Sequence, residues 1–193
     1  MAERRLVIAT GNAGKLGEYR ELLAGAGFEL KVFDPGVAEV GATYAENAQL
    51  KAEAARESLG LPAIGDDSGV EVAVLKGFPG IHSARIGPTQ KERTQALLDR
   101  LKGHPRPWLA RFACTIALAA PGQSTEFFEG ECGGEIVPEW RGVAGFGYDP
   151  VFLVPEAGRT FGEMRPEEKA RYSHRARAVR AMLASGALDR VSV

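Results

Sequence analysis

Two hydrophobic periods alternate along this chain, and the switches between them mark its elements. Residues 6–9 are an apolar run after two arginines, which predicts a buried first strand ended by Thr10-Gly11-Asn12. From Ala13 the spacing turns helical, with Leu16, Tyr19, Leu22 and Leu23 on one face and Gly25 and Gly27 closing the helix. Residues 28–33 alternate as a second strand, and 34–41 read as loop. Thr43, with Glu46 three residues on, predicts a capping box and a helix over 44–59. Residues 62–67 predict a strand ending in charge, 70–75 a further short strand, and the Gly- and Pro-rich stretch 77–87 a shaped loop. Thr89 opens a helix carrying Ala96, Leu97, Leu98 and Leu101. Two longer strand-like runs, 108–120 and 124–137, flank Pro121-Gly122 as a hairpin. A glycine-rich loop at 142–147, an apolar strand at 151–154 and a helix over 166–184, interrupted near Ser173, follow. Strand-helix-strand beginnings with a long central hairpin predict an α/β fold with a mixed sheet.

Composition narrows the classes. The 193 residues suit one domain, or one domain with two lobes, and 45% hydrophobic with 25% charged residues is ordinary for a globular protein. A formal net charge of -1 gives no whole-molecule attraction to nucleic acid or to an anionic membrane, so neither is expected as a partner. Cys114 and Cys132 have neither framework nor metal spacing and read as buried, reduced thiols. His82, His104 and His174 lack zinc spacing. The first apolar run is too short for a signal-peptide core and no stretch is long enough to span a bilayer, so a cytoplasmic location is expected.

Four segments carry candidate chemistry. Thr10-Gly11-Asn12-Ala13-Gly14-Lys15 sits where a strand becomes a helix; free N–H groups, the helix dipole and Lys15 suit a phosphate, although P-loop spacing is absent. The alternative is a plain turn with a surface lysine. Gly65-Asp66-Asp67-Ser68-Gly69 places two carboxylates at a strand end, as magnesium uses them, or forms an acidic turn capping its own backbone. In Gly145-Phe146-Gly147-Tyr148-Asp149-Pro150, a purine could stack on a ring while Asp149 accepts a base N–H; alternatively the aromatics anchor a turn in the core. Lys169 with Ser173-His174-Arg175 gathers cations near a helix restart, or forms a solvated basic face with Arg171, Arg177 and Arg180.

In this order the segments resemble the inosine triphosphate pyrophosphatase family. The resemblance adds Thr43-Tyr44, Glu46-Asn47-Ala48 and Lys51-Ala52, the run from Gly77 through Pro79-Gly80-Ile81 to Ser83-Ala84-Arg85, and Glu168-Lys169, and spans nearly the whole chain. It implies an elongated mixed β-sheet flanked by helices, two lobes around a central cleft, a single pyrophosphatase domain over 1–193, and a homodimer. It also implies hydrolysis of ITP, dITP and XTP to the monophosphate and pyrophosphate with Mg2+. Thr10, Gly11, Asn12 and Lys15 would hold the triphosphate, and Ser68 would touch the substrate. Asp67 would bind metal and accept the proton of the attacking water. Glu39 would be the second metal ligand, with Glu46 the alternative. Phe146, Gly147, Tyr148, Asp149, Lys169, His174 and Arg175 would form the base pocket. On this reading Lys15 and Asp67 line one crevice. Two rivals are a house-cleaning pyrophosphatase for modified pyrimidine triphosphates and a catalytically silent nucleotide binder.

Overall fold

The first apolar run becomes strand β1 (Arg5–Ala9), buried from its second residue onward, in a computed structural model that describes residues 4–191. It pairs in parallel with β2 (Glu29–Phe33) on one side and β3 (Ala63–Val72) on the other, with Ile8 opposite Val32 and Ile64. Parallel neighbours need crossovers, and helices α1 (Ala13–Leu22) and α2 (Tyr44–Leu59) supply them. The Thr43 hydroxyl accepts the Glu46 N–H at 3.1 Å, as its spacing predicts, but the Glu46 carboxylate takes the N–H of Ala42, at 2.6 Å.

β3 runs unbroken over ten residues, which corrects the expectation of two separate strands over 62–67 and 70–75. Asp66 and Asp67 therefore stand inside a strand and are 2% and 5% exposed. Charged residues interrupt the apolar pattern of such a strand, yet burial is tolerated because each carboxylate finds partners. After short 3-10 turns at Ala73–Leu75 and Gly80–His82 come α3 (Gln90–Leu101), opened by the full Thr89–Glu92 capping box, and the long strands β4 (Trp108–Ala119) and β5 (Glu126–Ile136). The chain continues through a 3-10 turn (Asp149–Val151), β6 (Phe152–Val154), β7 (Arg159–Thr160), α4 (Pro166–Tyr172) and α5 (His174–Ala184). The helical break falls at Ser173, as its sequence suggests. Seven strands form one mixed sheet in the order β2-β1-β3-β4-β5-β6-β7, antiparallel from β5 to β7. Among the described residues no helix is long and apolar enough to cross a membrane, and both cysteines are buried thiols outside any disulfide.

The chain divides into two compact units. Unit 1 comprises Met1–Asp67, Cys114–Gly130 and Arg175–Val193; unit 2 comprises Ser68–Ala113 and Glu131–His174. In unit 1, Leu6, Ile8, Tyr19, Ile64, Ile116, Val179 and Met182 pack as one apolar cluster, and an alanine layer joins α2 (Ala48, Ala52) to β4 (Ala117, Ala119). The approach of α2 to β3 is closest at Gly65, where a Cβ would lie 2.6 Å from the Ala48 carbonyl oxygen and 2.8 Å from the Ala52 nitrogen. Only glycine fits there. Unit 2 is centred on Val70, Leu97, Trp108, Phe112, Phe152 and Phe161, with the Phe112 and Phe152 rings 4.6 Å apart.

Candidate active site

In unit 1 the chemistry gathers around the middle of β3. Neighbouring strand residues point to opposite sides, and the two aspartates accordingly have different partners. Asp66 Oδ2 accepts hydrogen bonds from Arg175 Nε at 3.2 Å and Nη2 at 2.9 Å, and Lys15 Nζ stands 3.1 Å from the same oxygen. Lys15 Nζ also donates to the Asp66 carbonyl oxygen at 3.2 Å, and Arg175 Nη1 pairs with Glu18 on α1. Burial opposes ionisation of Asp66, but the Lys15 ammonium and the Arg175 guanidinium outweigh it and hold this carboxyl well below the usual carboxylate range.

Asp67 is the contrasting neighbour. Burial pushes its carboxyl above the ordinary value, against the lowering influence of Lys51, Lys15 and a hydrogen bond from Asn47. That bond runs from Asn47 Nδ2 to Asp67 Oδ2 at 3.0 Å, while Asn47 Oδ1 accepts the Gly41 N–H at 2.8 Å, so both ends of the amide are committed. One helical turn along, Lys51 Nζ lies 2.5 Å from Glu39 Oε1. Asn47 and Lys51 are four residues apart on α2, hence on one face, and the glycine contact at position 65 brings that face onto β3. Two lysines with Asp67 and Glu39 thus form a polar group that could take a phosphate and a divalent cation.

The opening turn is organised by its own side chains. Asn12 Oδ1 accepts the N–H groups of Gly14 at 2.9 Å and Lys15 at 3.1 Å, and Thr10 Oγ1 accepts the Asn12 N–H at 3.1 Å. Gly11 is exposed, and a Cβ on it would collide with the Asp34 carboxylate at 2.2 Å.

Unit 2 builds a second polar centre, surrounded by rings. Asp149, 2% exposed, accepts the Phe146 N–H at 2.7 Å and the Lys169 ammonium at 2.6 Å, both on Oδ2. Gly145, at φ 74°, permits that fold-back, since a Cβ there would lie 2.1 Å from Asp149 Oδ2. Lys169 Nζ sits 5.0 Å from the Phe146 ring centre and 5.3 Å from that of Phe161, within cation–π range. The imidazole of His174 stacks on Phe112 at 4.6 Å and 7°. The Tyr148 hydroxyl donates to the Ser83 carbonyl oxygen at 2.7 Å, and burial raises its pKa. Gly147, at φ 61°, lies between the two aromatics, and Ser173, 2% exposed, joins α4 to α5.

Lys15, Asp67, Glu39 and Arg175 belong to unit 1, with Thr10, Gly11 and Asn12 forming the turn before α1, and Phe146, Gly147, Tyr148, Asp149, Lys169 and His174 belong to unit 2. Ser68 is the first residue of unit 2, next to Asp67 on β3. Arg175 is 0% exposed and pairs with Asp66 and Glu18. From the residue pattern Asn47, Lys51 and Glu18 carry no assigned role, and Asp66 stands only as one of two adjacent candidate carboxylates. The i,i+4 spacing on a well-capped helix could have flagged Asn47 and Lys51; nothing local flags a pair separated by 109 residues.

Comparison with known proteins places the chain in a family. The sequence model of the Ham1 family matches residues 6–185. A dITP/XTP pyrophosphatase of Gloeobacter violaceus is 51% identical over 182 residues, covering 93% of each chain. One of Thermus thermophilus is 50% identical over 188 residues, covering 93% of this chain and 90% of its own. Among solved structures, the Staphylococcus aureus Ham1 protein superposes with a TM-score of 0.83 at 35% identity, covering 97% of this chain and all of its own. A family match from residue 6 to residue 185, and relatives half identical over nine-tenths of both chains, make this chain a member of the Ham1 family.

Proposed function

We propose that this protein hydrolyses non-standard purine nucleoside triphosphates (ITP, dITP and XTP) to the nucleoside monophosphate and pyrophosphate. Carrying this reading is the contrast on β3, where Asp66 is kept anionic under two cations while its neighbour Asp67 is pushed toward the protonated form. A base works best when its pKa approaches the working pH, and displacement upward moves Asp67 in that direction. Relatives named dITP/XTP pyrophosphatase support the substrate class.

Charge in unit 1 bears on the metal. Asp66, Asp67, Glu18 and Glu39 outnumber Lys15, Lys51 and Arg175 by one when all are ionised. A triphosphate polyanion needs that balance reversed, and a divalent cation held by Asp67 and Glu39 would reverse it. Among the described residues no group of three or more His, Cys, Asp or Glu side chains could hold a metal; two carboxylates suit magnesium, which completes its shell with water and substrate phosphate. Magnesium would supply Lewis-acid polarisation of the phosphate oxygens. Glu39, unlike Glu46, acts electrostatically on the Asp67 carboxyl, which favours Glu39 as the second ligand.

The chain's own residues do the rest. Lys15 and Lys51 offset charge on the phosphate tail, the larger part of what phosphoryl transfer asks of a protein. Asp67, oriented by Asn47, accepts a proton from water as its oxygen bonds to the α-phosphorus. The bond from that phosphorus to the bridging oxygen breaks, and pyrophosphate leaves. Thr10, Gly11 and Asn12 shape the phosphate turn, and Ser68 contacts substrate. In unit 2, Phe146 offers a ring face for the purine beside Gly147 and Tyr148. Lys169 and His174 are donors for the 6-oxo group that hypoxanthine and xanthine carry and adenine lacks, and such polar pockets discriminate by ~10⁴ or more. The two units are lobes of one catalytic domain, and the active form is a homodimer.

The test is pyrophosphate release from ITP, dITP, XTP, GTP, ATP and a modified pyrimidine triphosphate, with and without magnesium. Magnesium-dependent release from the first three, with little from ATP, is expected. Equal rates on ATP and ITP would sink the pocket argument, and preference for the pyrimidine would move the protein to a different substrate class.

A further inference from the structure

We propose that Ser83 is a positioning residue for the purine pocket: through the Tyr148 hydroxyl it fastens the segment 146–149 to the backbone of β3. The proposal rests on the triphosphate reading above and deepens it. Its starting point is the second half of β3. β1 pairs with β3 at Ala63, Ile64 and Gly65; past them, within unit 2, the Gly- and Pro-rich stretch 77–87 lies along the strand. The Val72 N–H donates to the Phe78 carbonyl oxygen at 3.2 Å, the Gly77 N–H donates to the Val72 carbonyl oxygen at 3.0 Å, and Glu71 bridges to Pro79. At Val70, which is fully buried, the acceptor is a side chain: the Ser83 hydroxyl takes this N–H at 3.0 Å. A buried N–H without an acceptor is costly, which is a reason for a hydroxyl at position 83.

Ser83 uses its polar groups in three directions. Besides accepting from Val70, its Oγ donates to the Gly80 carbonyl oxygen at 2.6 Å, which ties down the turn Gly80–His82, and its own carbonyl oxygen accepts the Tyr148 hydroxyl at 2.7 Å. The far end of the same loop is held separately, by Arg93 Nη1 on the carbonyl oxygens of Gly87 at 3.1 Å and Pro88 at 3.3 Å. Burial pushes the Tyr148 phenol pKa up, so the group remains a donor. Tyr148 stands between Phe146, whose ring the Lys169 ammonium faces, and Asp149, which holds that ammonium. A tether at 148 therefore locates both. The bond from the Phe146 N–H to Asp149 shapes this segment internally, and the Tyr148–Ser83 bond registers it against β3, two residues past Ser68. Without the Ser83 hydroxyl, Val70 loses its acceptor, the turn at Gly80 loses its donor, and the carbonyl that receives Tyr148 is no longer fixed. Phenylalanine at position 148 keeps the ring in the core and removes the tether alone.

The experiment measures kcat and KM for ITP, and by calorimetry the affinity for inorganic tripolyphosphate, which has no base. Wild type, Ser83→Ala, Tyr148→Phe and the double variant are compared. Tyr148→Phe is expected to raise KM for ITP roughly fivefold, the scale of one neutral hydrogen bond, with kcat within about twofold of wild type. Ser83→Ala, which gives up two bonds of its own and loosens the third, should raise KM roughly tenfold. Tripolyphosphate affinity should stay at the wild-type value in both. The double variant should be no worse than Ser83→Ala alone, because contacts that act through one another are non-additive. Should Ser83→Ala fail to fold, Tyr148→Phe carries the test. An unchanged KM in Tyr148→Phe would overturn the proposal, as would fully additive effects in the double. A parallel fall of kcat and tripolyphosphate affinity would reduce Ser83 to a structural prop and overturn it too. Failure of wild type to release pyrophosphate from ITP would instead strike the reading of function, and the same comparison, run on whichever triphosphate of the panel is cleaved, would judge Ser83 separately.

Discussion

Two buried aspartates, Asp66 in unit 1 and Asp149 in unit 2, solve the same problem differently. Each is almost fully buried and each is met by a lysine. Asp66 has a second cation, Arg175, which is itself tied to another carboxylate; Asp149 has one cation, a backbone N–H and a surround of rings. The first arrangement is redundant and spread over three elements. The second is compact and depends on one side chain. Redundancy suits a group meant to remain charged while a polyanion comes and goes, and a single partner between aromatic faces suits a pocket that reads shape and hydrogen bonds.

The largest expected effect tests that redundancy. Lys169→Met leaves a buried Asp149 without its cation and is expected to cost about 3–5 kcal/mol of stability, the usual penalty for breaking a buried pair from one side. Lys15→Met, which leaves Arg175 on Asp66, should cost clearly less. Urea unfolding of the two variants makes the comparison, and equal losses would remove the distinction. Next comes Asp67→Asn, expected to lower turnover by roughly 10²-fold or more while the fold is kept. Near-normal pyrophosphate release would take Asp67 out of the mechanism.

The smallest effect is one of pH. Because burial raises the Asp67 carboxyl, the folded chain holds this proton more tightly than the unfolded chain does. Its contribution to stability is therefore present below the ordinary aspartate value and is lost as pH rises through the folded one; Asp66, displaced the other way, contributes above the ordinary value and loses that contribution as pH falls below it. Activity that needs the Asp67 anion accordingly fades on the acid side at a higher pH than an ordinary aspartate dictates. Asn47→Ala removes an N–H that favours the anion, so the acid limb of kcat/KM should shift to still higher pH. A shift to lower pH would show that Asn47 does not act through Asp67.

Much of this was legible from residue order. Thr43 and Thr89 mark the starts of α2 and α3 because a hydroxyl accepting the N–H three residues on is a local matter. The fold-back of Phe146 to Asp149 is likewise short-range, with Gly145 supplying the backbone freedom it needs. The continuity of β3 was not legible. Adjacent acids flanked by glycines imitate a turn, and what allows them inside a strand is an arginine 109 residues away and a helix face brought close by a missing side chain. Burial of Arg175 escaped for the same reason, since a basic run on a helix looks solvated until its long-range partners are known.

That missing side chain has a genetic corollary. Any codon change that alters the residue at position 65 makes it larger, and the nearest obstacles, Ala48 O and Ala52 N, are main chain and cannot rotate aside. Drift at this position can therefore only wedge the helix outward, carrying the amide of Asn47 and the ammonium of Lys51 away from the Asp67 carboxylate. A lineage that lost this glycine would have to rebuild the spacing elsewhere before it could recover activity.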